Sequence, residues 1–250
     1  MLSGILCTIL PPVCDICGRL ADADKRIENY RSIYRRIYKT PSTLHICGKC
    51  LSELCPEDPD RRWFVCLSEP YDTDPIPAQR LYMPFPYKDL ASRMVPAFKF
   101  GGRKELARLA GIVTGALMSE DGITADIAIP VPLAPGRLKE RGYNQASEIA
   151  FPIASLLNIP YADNALLRTR STSRQSELTY GIDRYDNVRK AFEVSDSWDI
   201  EGLRVILADD VCTTGFTMHE AAMALYDAGA ENVLCVAFAG NRLVKNADPF

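Results

Sequence analysis

The chain is poor in features that would fix its class at a glance. It nowhere holds the roughly 18 continuous apolar residues that a membrane helix needs, so no membrane insertion is expected. The opening Met1–Leu10 is apolar, but it has no Lys/Arg-rich start and runs straight into Pro11 and Pro12. This predicts a short packing segment and a cytoplasmic protein. No charge of one sign dominates: 29 Lys+Arg against 32 Asp+Glu leave a net charge of −3. A global basic field is thereby excluded, and any nucleic-acid surface must be a local patch. There is no Walker A lysine, no GxGxxG and no GxSxG, which argues against P-loop, dinucleotide and hydrolase sites. Internal repeats and low-complexity tracts are absent too. With 47% hydrophobic and 24% charged residues among 250, the chain fits one large folded domain or two small ones.

What is present is uneven. Of nine cysteines, Cys7, Cys14, Cys17, Cys47, Cys50, Cys55 and Cys66 lie in the first 66 residues, and only Cys212 and Cys235 lie beyond. The odd number and the lack of an export signal argue against a disulfide framework. Cys14-Asp15-Ile16-Cys17-Gly18 and Cys47-Gly48-Lys49-Cys50 share one local form. Two intervening residues let both thiolates of a tight turn face one ion, and two such turns supply a tetrahedral set. We therefore expect structural Zn²⁺ on Cys14, Cys17, Cys47 and Cys50, closed to substrate. Cys66 has no CxxC partner and reads as buried.

The 29 residues between Cys17 and Cys47 exceed the spacing of a compact ribbon. Ile27, Tyr30, Tyr34 and Ile37 recur at helical spacing and predict an amphipathic helix. Its other face carries Arg26, Arg31, Arg35, Arg36 and Lys39. Such interleaving can bind single-stranded nucleic acid by phosphate contacts and stacking. The reading we favour is a solvated helix whose tyrosines pack on the zinc turns.

From about Arg80, short apolar runs alternate with helical patterns. Strands are expected at Leu81–Phe85, Ile127–Val131, Leu203–Ala208 and Val233–Phe238. Helices are expected at Leu90–Phe98, Glu105–Leu117, Asn144–Leu157 (kinked at Pro152) and Phe216–Ala228. This alternation predicts an α/β fold with a parallel sheet flanked by helices. The domains are expected at 1–66, a four-cysteine head with a helical insert, and 80–250, the body.

Ligands bind outside the carboxyl ends of parallel strands, so the residues after Ala208 matter most. There Asp209 and Asp210 precede Val211, Cys212, Thr213, Thr214, Gly215, Phe216 and Thr217. A small, hydroxyl-rich turn that opens a helix can cradle a phosphate, and adjacent carboxylates can accept hydrogen bonds from a diol. A plain helix cap explains one acid and one Thr, not this whole set.

Val205–Thr217 resembles the phosphoribosyl pyrophosphate (PRPP) signature of type I phosphoribosyltransferases. Phe98–Arg103, Pro130–Leu133 with Arg137, Arg141–Ala146, Gln175–Leu178 and Arg184–Val188 are similar to blocks of the ComF family. That family couples a zinc-ribbon head to a phosphoribosyltransferase domain and is associated with competence and DNA uptake. The resemblance implies ribose contacts by the catalytic candidates Asp209 and Asp210, and a 5′-phosphate site at Val211, Cys212, Thr213, Thr214, Gly215 and Thr217. It also implies a pyrophosphate loop at Pro132–Arg137, with Arg137 and Arg141 as best candidates and Lys99 and Arg103 as weaker ones, and Mg²⁺ bound with PRPP. The polar segment Arg168–Lys190 reads as a flap or as a long surface loop. Two functions stay open at this point: transfer to an unidentified acceptor, or a non-catalytic PRPP- or nucleotide-sensing module. In the second, the head docks single-stranded DNA or a competence-machinery protein.

Overall fold

The computed structural model describes residues 12–21, 24–54, 63–66, 79–169, 191–213 and 215–240. The insert forms helix α1 (Arg26–Tyr38), and the second CxxC opens the short α2 (Gly48–Glu53). Then follow β1 (Trp63–Cys66), β2 (Gln79–Tyr82), β3 (Phe85–Pro86), α3 (Asp89–Phe100), α4 (Lys104–Glu120), β4 (Ile127–Pro130), α5 (Pro135–Arg141) and α6 (Gln145–Leu157). The chain continues through β5 (Leu166–Arg168), β6 (Phe192–Val194), β7 (Arg204–Cys212), α7 (Phe216–Asp227) and β8 (Asn232–Gly240).

The sheet runs β1-β2-β8-β7-β4, with β3 also pairing β8 and β5 pairing β6 apart from it. β2, β3, β8, β7 and β4 are mutually parallel where they pair, and β1 is antiparallel to β2. The apolar strand sequences follow from this: a parallel strand covered on both faces buries both sets of side chains, and all four residues of β4 are buried. On one face Ile206 packs among Met94, Phe98, Leu106 and Ile149 of α3, α4 and α6. On the other, Val205 and Leu207 pack with Ala221 and Leu225 of α7 and with Phe192 of β6.

The expected Leu81–Phe85 strand is two pieces, β2 and β3, separated by Met83 and Pro84. Pro84 has no N–H to donate to a ladder. The strand expected to end at Ala208 instead runs to Cys212, because β8 continues to Gly240 and stays paired beside it. The expected Pro132–Arg137 loop is a loop only as far as Ala134. Pro135 then starts α5, and Gly142, at φ 76°, ends it. Helix α6 continues through Pro152, which packs against Gly111 of α4.

Helix α1 forms where its periodicity placed it, with Ile27, Tyr30 and Tyr34 buried. The tyrosines are not confined to the cysteine turns, however. Tyr34 Oη accepts from Arg108 of α4 at 2.6 Å, the Arg108 guanidinium lies 4.3 Å from the Tyr38 ring centroid, and Tyr38 meets Phe151 of α6 at 5.6 Å. These rings dock the insert on the body and are not free to stack on bases; Arg35 and Arg36 stay exposed. Glu105 of α4 adds hydrogen bonds from Ser42, from Thr43 N (2.9 Å) and from Thr43 Oγ1 (2.6 Å).

Helices α4 and α6 meet at Gly111 and Gly115. A Cβ on Gly111 would lie 2.5 Å from the Ile149 carbonyl oxygen and 2.6 Å from Pro152 Cγ. Gly111→Ala should therefore lower stability by about 1–3 kcal/mol through overpacking, read as a lower urea midpoint. Gly136→Ala, with nothing within 4 Å of the added carbon, should be close to neutral in the same titration. Equal midpoints for the two variants would refute the close helix contact.

Candidate functional site

The continued pairing of β7 decides the geometry of the acids. Asp209 lies opposite Ala237, and Val211 opposite Ala239. Successive residues of a strand point to opposite faces, so Asp209 and Asp210 are held apart by the sheet itself. Asp210 is buried, and its carboxylate pairs with Lys99 Nζ at 2.8 Å from the end of α3. Asp209 Oδ1 accepts a 2.7 Å hydrogen bond from the Asp210 backbone N–H. Burial, and next the neighbouring Asp210 charge, push the Asp209 carboxyl up to about 7; Lys99, that N–H and Arg168 act against the rise.

Arg168, at the end of β5, is the residue that sequence reasoning assigned only to a flap. Burial and the nearby Arg137 charge make its guanidinium less basic, while Asp209 acts in the opposite sense. Arg137, Arg168 and Asp209 thus form one electrostatic group, fed by α5, β5 and β7. The usable signal was positional: Arg168 closes a short apolar run, Ala165-Leu166-Leu167, where a strand would end. Residues 170–190, the rest of the expected flap, lie outside the described residues, as do Cys55 and the side chain of Cys66.

Past Cys212, which is buried, the turn carries the exposed Thr213. Thr214 lies outside the described residues. Gly215 adopts φ 74°, a left-handed conformation in which a side chain would be strained, and caps α7; its carbonyl accepts from His219 N at 2.8 Å. Thr217 sits half-buried in the first turn of α7. The turn therefore presents the amide end of a twelve-residue helix next to the acids, a place that favours an anion.

The other expected cations separate. Arg141 Nη1 donates to Gln145 Oε1 at 2.9 Å, and the guanidinium lies 5.2 Å from the Phe100 ring centroid. Arg103 pairs with Asp15 of the first cysteine turn. Of the four candidates, the structure brings Lys99 onto Asp210 and Arg137 beside Arg168, and it engages Arg141 and Arg103 elsewhere.

In the head, the sulfurs of Cys14, Cys17, Cys47 and Cys50 all lie within 4.8 Å of one another. Cys17 and Cys47 Sγ are 3.6 Å apart. Zinc–sulfur bonds of about 2.3 Å in a tetrahedron imply sulfur–sulfur edges of about 3.8 Å, so the cage has the size for such an ion. Backbone bonds hold it: Gly18 N donates to the Cys14 carbonyl at 2.8 Å and Leu51 N to that of Cys47 at 3.0 Å. Asp15 ties the two turns, exchanging bonds of 2.8 Å with the backbone of His45 in both directions.

Comparison with known proteins matches this arrangement. Residues 144–248 match the phosphoribosyl transferase domain family. A DNA utilization protein YhgH of Salmonella typhi is 32% identical over 202 residues, covering 75% of this chain and 86% of that protein. Competence protein F of Haemophilus influenzae is 33% identical over 153 residues, covering 59% and 66% of the two chains. Competence protein ComFC of Bacillus subtilis is 28% identical over 152 residues, with 58% and 57% covered. The chain belongs to the ComF family. Its ComF-type body and its four-cysteine head are the two parts that the sequence resemblance implies, and no described helix is long and apolar enough to cross a membrane.

The Asp209 carboxyl of this ComF-family chain has a folded-state pKa above its ordinary value of 3.8. As pH rises from about 4 to about 7, the unfolded chain loses this proton before the folded one does, so the group's contribution to stability falls. Asp209→Asn removes the slope. Its stability relative to the parent should therefore rise between pH 5 and pH 8, by about 1 kcal/mol or more. Paired urea titrations at the two pH values measure this, and a constant difference would refute the assignment.

Proposed function

We propose that this chain binds PRPP with Mg²⁺ at the carboxyl end of β7 and transfers its phosphoribosyl group to an acceptor. The observation that carries the reading is the acid pair on β7, flanked by cations on both sheet faces and followed directly by the Gly215 turn into α7. In this reading Asp209 and Asp210 accept hydrogen bonds from the ribose hydroxyls. The turn from Val211 to Thr217, with Cys212, Thr213, Thr214 and Gly215, holds the 5′-phosphate. Arg137 and Arg168 face the pyrophosphate, since guanidinium forks match phosphate oxygens. Lys99 would hold the Asp210 carboxylate in place until a ligand arrives. Mg²⁺ would enter with the pyrophosphate and neutralise charge on the leaving group, and carboxylate oxygens are suitable ligands for it. The remaining task of the protein is to hold C1′ and the acceptor in line and to stabilise the departing charge.

The head, 1–66, and the body, 80–250, are the functional units of this reading. The head is proposed to hold one structural Zn²⁺ on Cys14, Cys17, Cys47 and Cys50; a four-thiolate site is closed and serves folding rather than chemistry. The names of the relatives connect those proteins with DNA utilization and competence. On that basis we assign this chain a cytoplasmic role in handling incoming DNA, with single-stranded DNA or a competence protein as partner.

Metal analysis should find about one zinc per chain, and Cys50→Ser should lose it; a folded, zinc-free parent protein would refute the head assignment. Isothermal titration with PRPP and Mg²⁺ tests the body. Asp209→Asn combined with Asp210→Asn should weaken binding about 10-fold or more, as expected when hydrogen bonds to charged groups are removed. Unchanged affinity in a folded double variant would remove the ribose role.

A further inference from the structure

Phe100 is 73% exposed, the most open large apolar side chain among the described residues. A lone exposed apolar residue needs no explanation; the company of this one does. It closes α3 one residue after Lys99, whose Nζ pairs with Asp210 at 2.8 Å, and two after Phe98, which is fully buried. Two features fix the turn of chain that carries the ring. Gly101 N and Arg103 N both donate to the Ala97 carbonyl, at 3.0 and 3.2 Å, and Tyr143 Oη donates to the Phe98 carbonyl. Gly101 and Gly102 follow without side chains, so nothing from the next two residues covers the ring.

Arg141 supplies the other half. Its guanidinium lies over the ring at 5.2 Å while Gln145, itself buried, holds Nη1. Arg141 Nε is buried without a hydrogen bond, and the side chain joins none of the ion pairs among the described residues. The guanidinium thus has the Phe100 ring on one side and Gln145 on another. The result is a largely open planar ring on a fixed turn of chain, with a cation 5.2 Å from its centre, on the same helix end as the lysine of the acid pair. Planar heteroaromatic rings stack on such surfaces whatever their hydrogen-bonding pattern.

We infer that Phe100, backed by Arg141, is the stacking platform for a nucleobase whose attached phosphoribosyl part occupies the β7 turn. The inference rests on the proposed PRPP site and adds the class of acceptor to it: a planar base, either free or at the end of a single strand. Arg141 then serves the base and not the pyrophosphate.

The test compares ribose 5-phosphate with AMP, GMP, CMP and UMP, and with a 5′-phosphorylated single-stranded ten-mer, by calorimetry on the full chain. At least one base-bearing ligand should bind about 10-fold tighter than ribose 5-phosphate. Phe100→Ala and Phe100→Leu should bring that ratio towards one. Phe100→Trp should keep it, and the new tryptophan should be quenched by the ligand. Since the ring is exposed, these variants should unfold at the parent's temperature. A ratio near one in the parent, or a ratio that Phe100→Ala leaves unchanged, overturns the platform. Failure of ribose 5-phosphate to bind at all overturns the underlying phosphate site instead. A gain confined to mononucleotides assigns the platform to a free base, and one confined to the ten-mer assigns it to a base within a strand.

Discussion

The pairing of β7 with β8 out to Cys212 and Gly240 governs the rest of the site. Had β7 ended at Ala208, two consecutive carboxylates would sit together on one turn, repelling each other in a poorly solvated place. Continued as strand, they are turned to opposite faces: Asp210 pairs with Lys99 from α3, and Asp209 feels the charge of Lys99 first and of Arg168 from β5 after it. Gly240 permits the pairing to run so far, because a Cβ there would collide with the Cys212 carbonyl oxygen and Met83 Sδ. The cost of the pair remains visible at Asp209, whose raised pKa comes first from burial and next from its neighbour.

The second organising contact joins the head to the body. Arg108 of α4 hydrogen-bonds Tyr34 of the insert at 2.6 Å and Glu148 of α6 at 2.8 Å, and Lys104 reaches the same Glu148 at 2.9 Å. Arg103, one residue before α4, pairs with Asp15 between the cysteines of the first turn. The turn from α3 to α4 therefore lies between the four-cysteine head on one side and the Lys99–Asp210 pair on the other. The head does more than decorate the body, because its insert helix shares an apolar cluster with α3, α4 and α6.

Much of this was legible beforehand because it depends on local chemistry. The two CxxC turns, the 3.6-residue period of α1 and the stop of α7 near Gly229 are all short-range. So is the acid–threonine–glycine run, whose residue types have few other uses together. The errors came where long-range pairing overrides local preference. Nothing in Val205–Cys212 itself says that β8 will hold two acids in a ladder. The Pro132–Arg137 stretch reads as loop because its helix has a single turn's worth of signal around Pro135. The sequence ranks Arg137 and Arg141 above Lys99 and Arg103 but cannot say what each one meets, since a basic residue near a phosphate motif has no periodicity of its own.

By itself the sequence determined that a parallel α/β body follows a four-cysteine head, and that an acid–threonine–glycine run follows the apolar strand at 205–208. Spacing and residue type suffice for that, because thiolate turns, helical stripes and buried strands are written within a few residues. Only the tertiary structure decided that Lys99 pairs with Asp210, that the insert tyrosines dock on the body, and that Phe100 stands open one residue from that lysine. Those outcomes depend on which strands and helices become neighbours, and side chains as distant along the chain as Lys99 and Asp210 meet only after the sheet has closed.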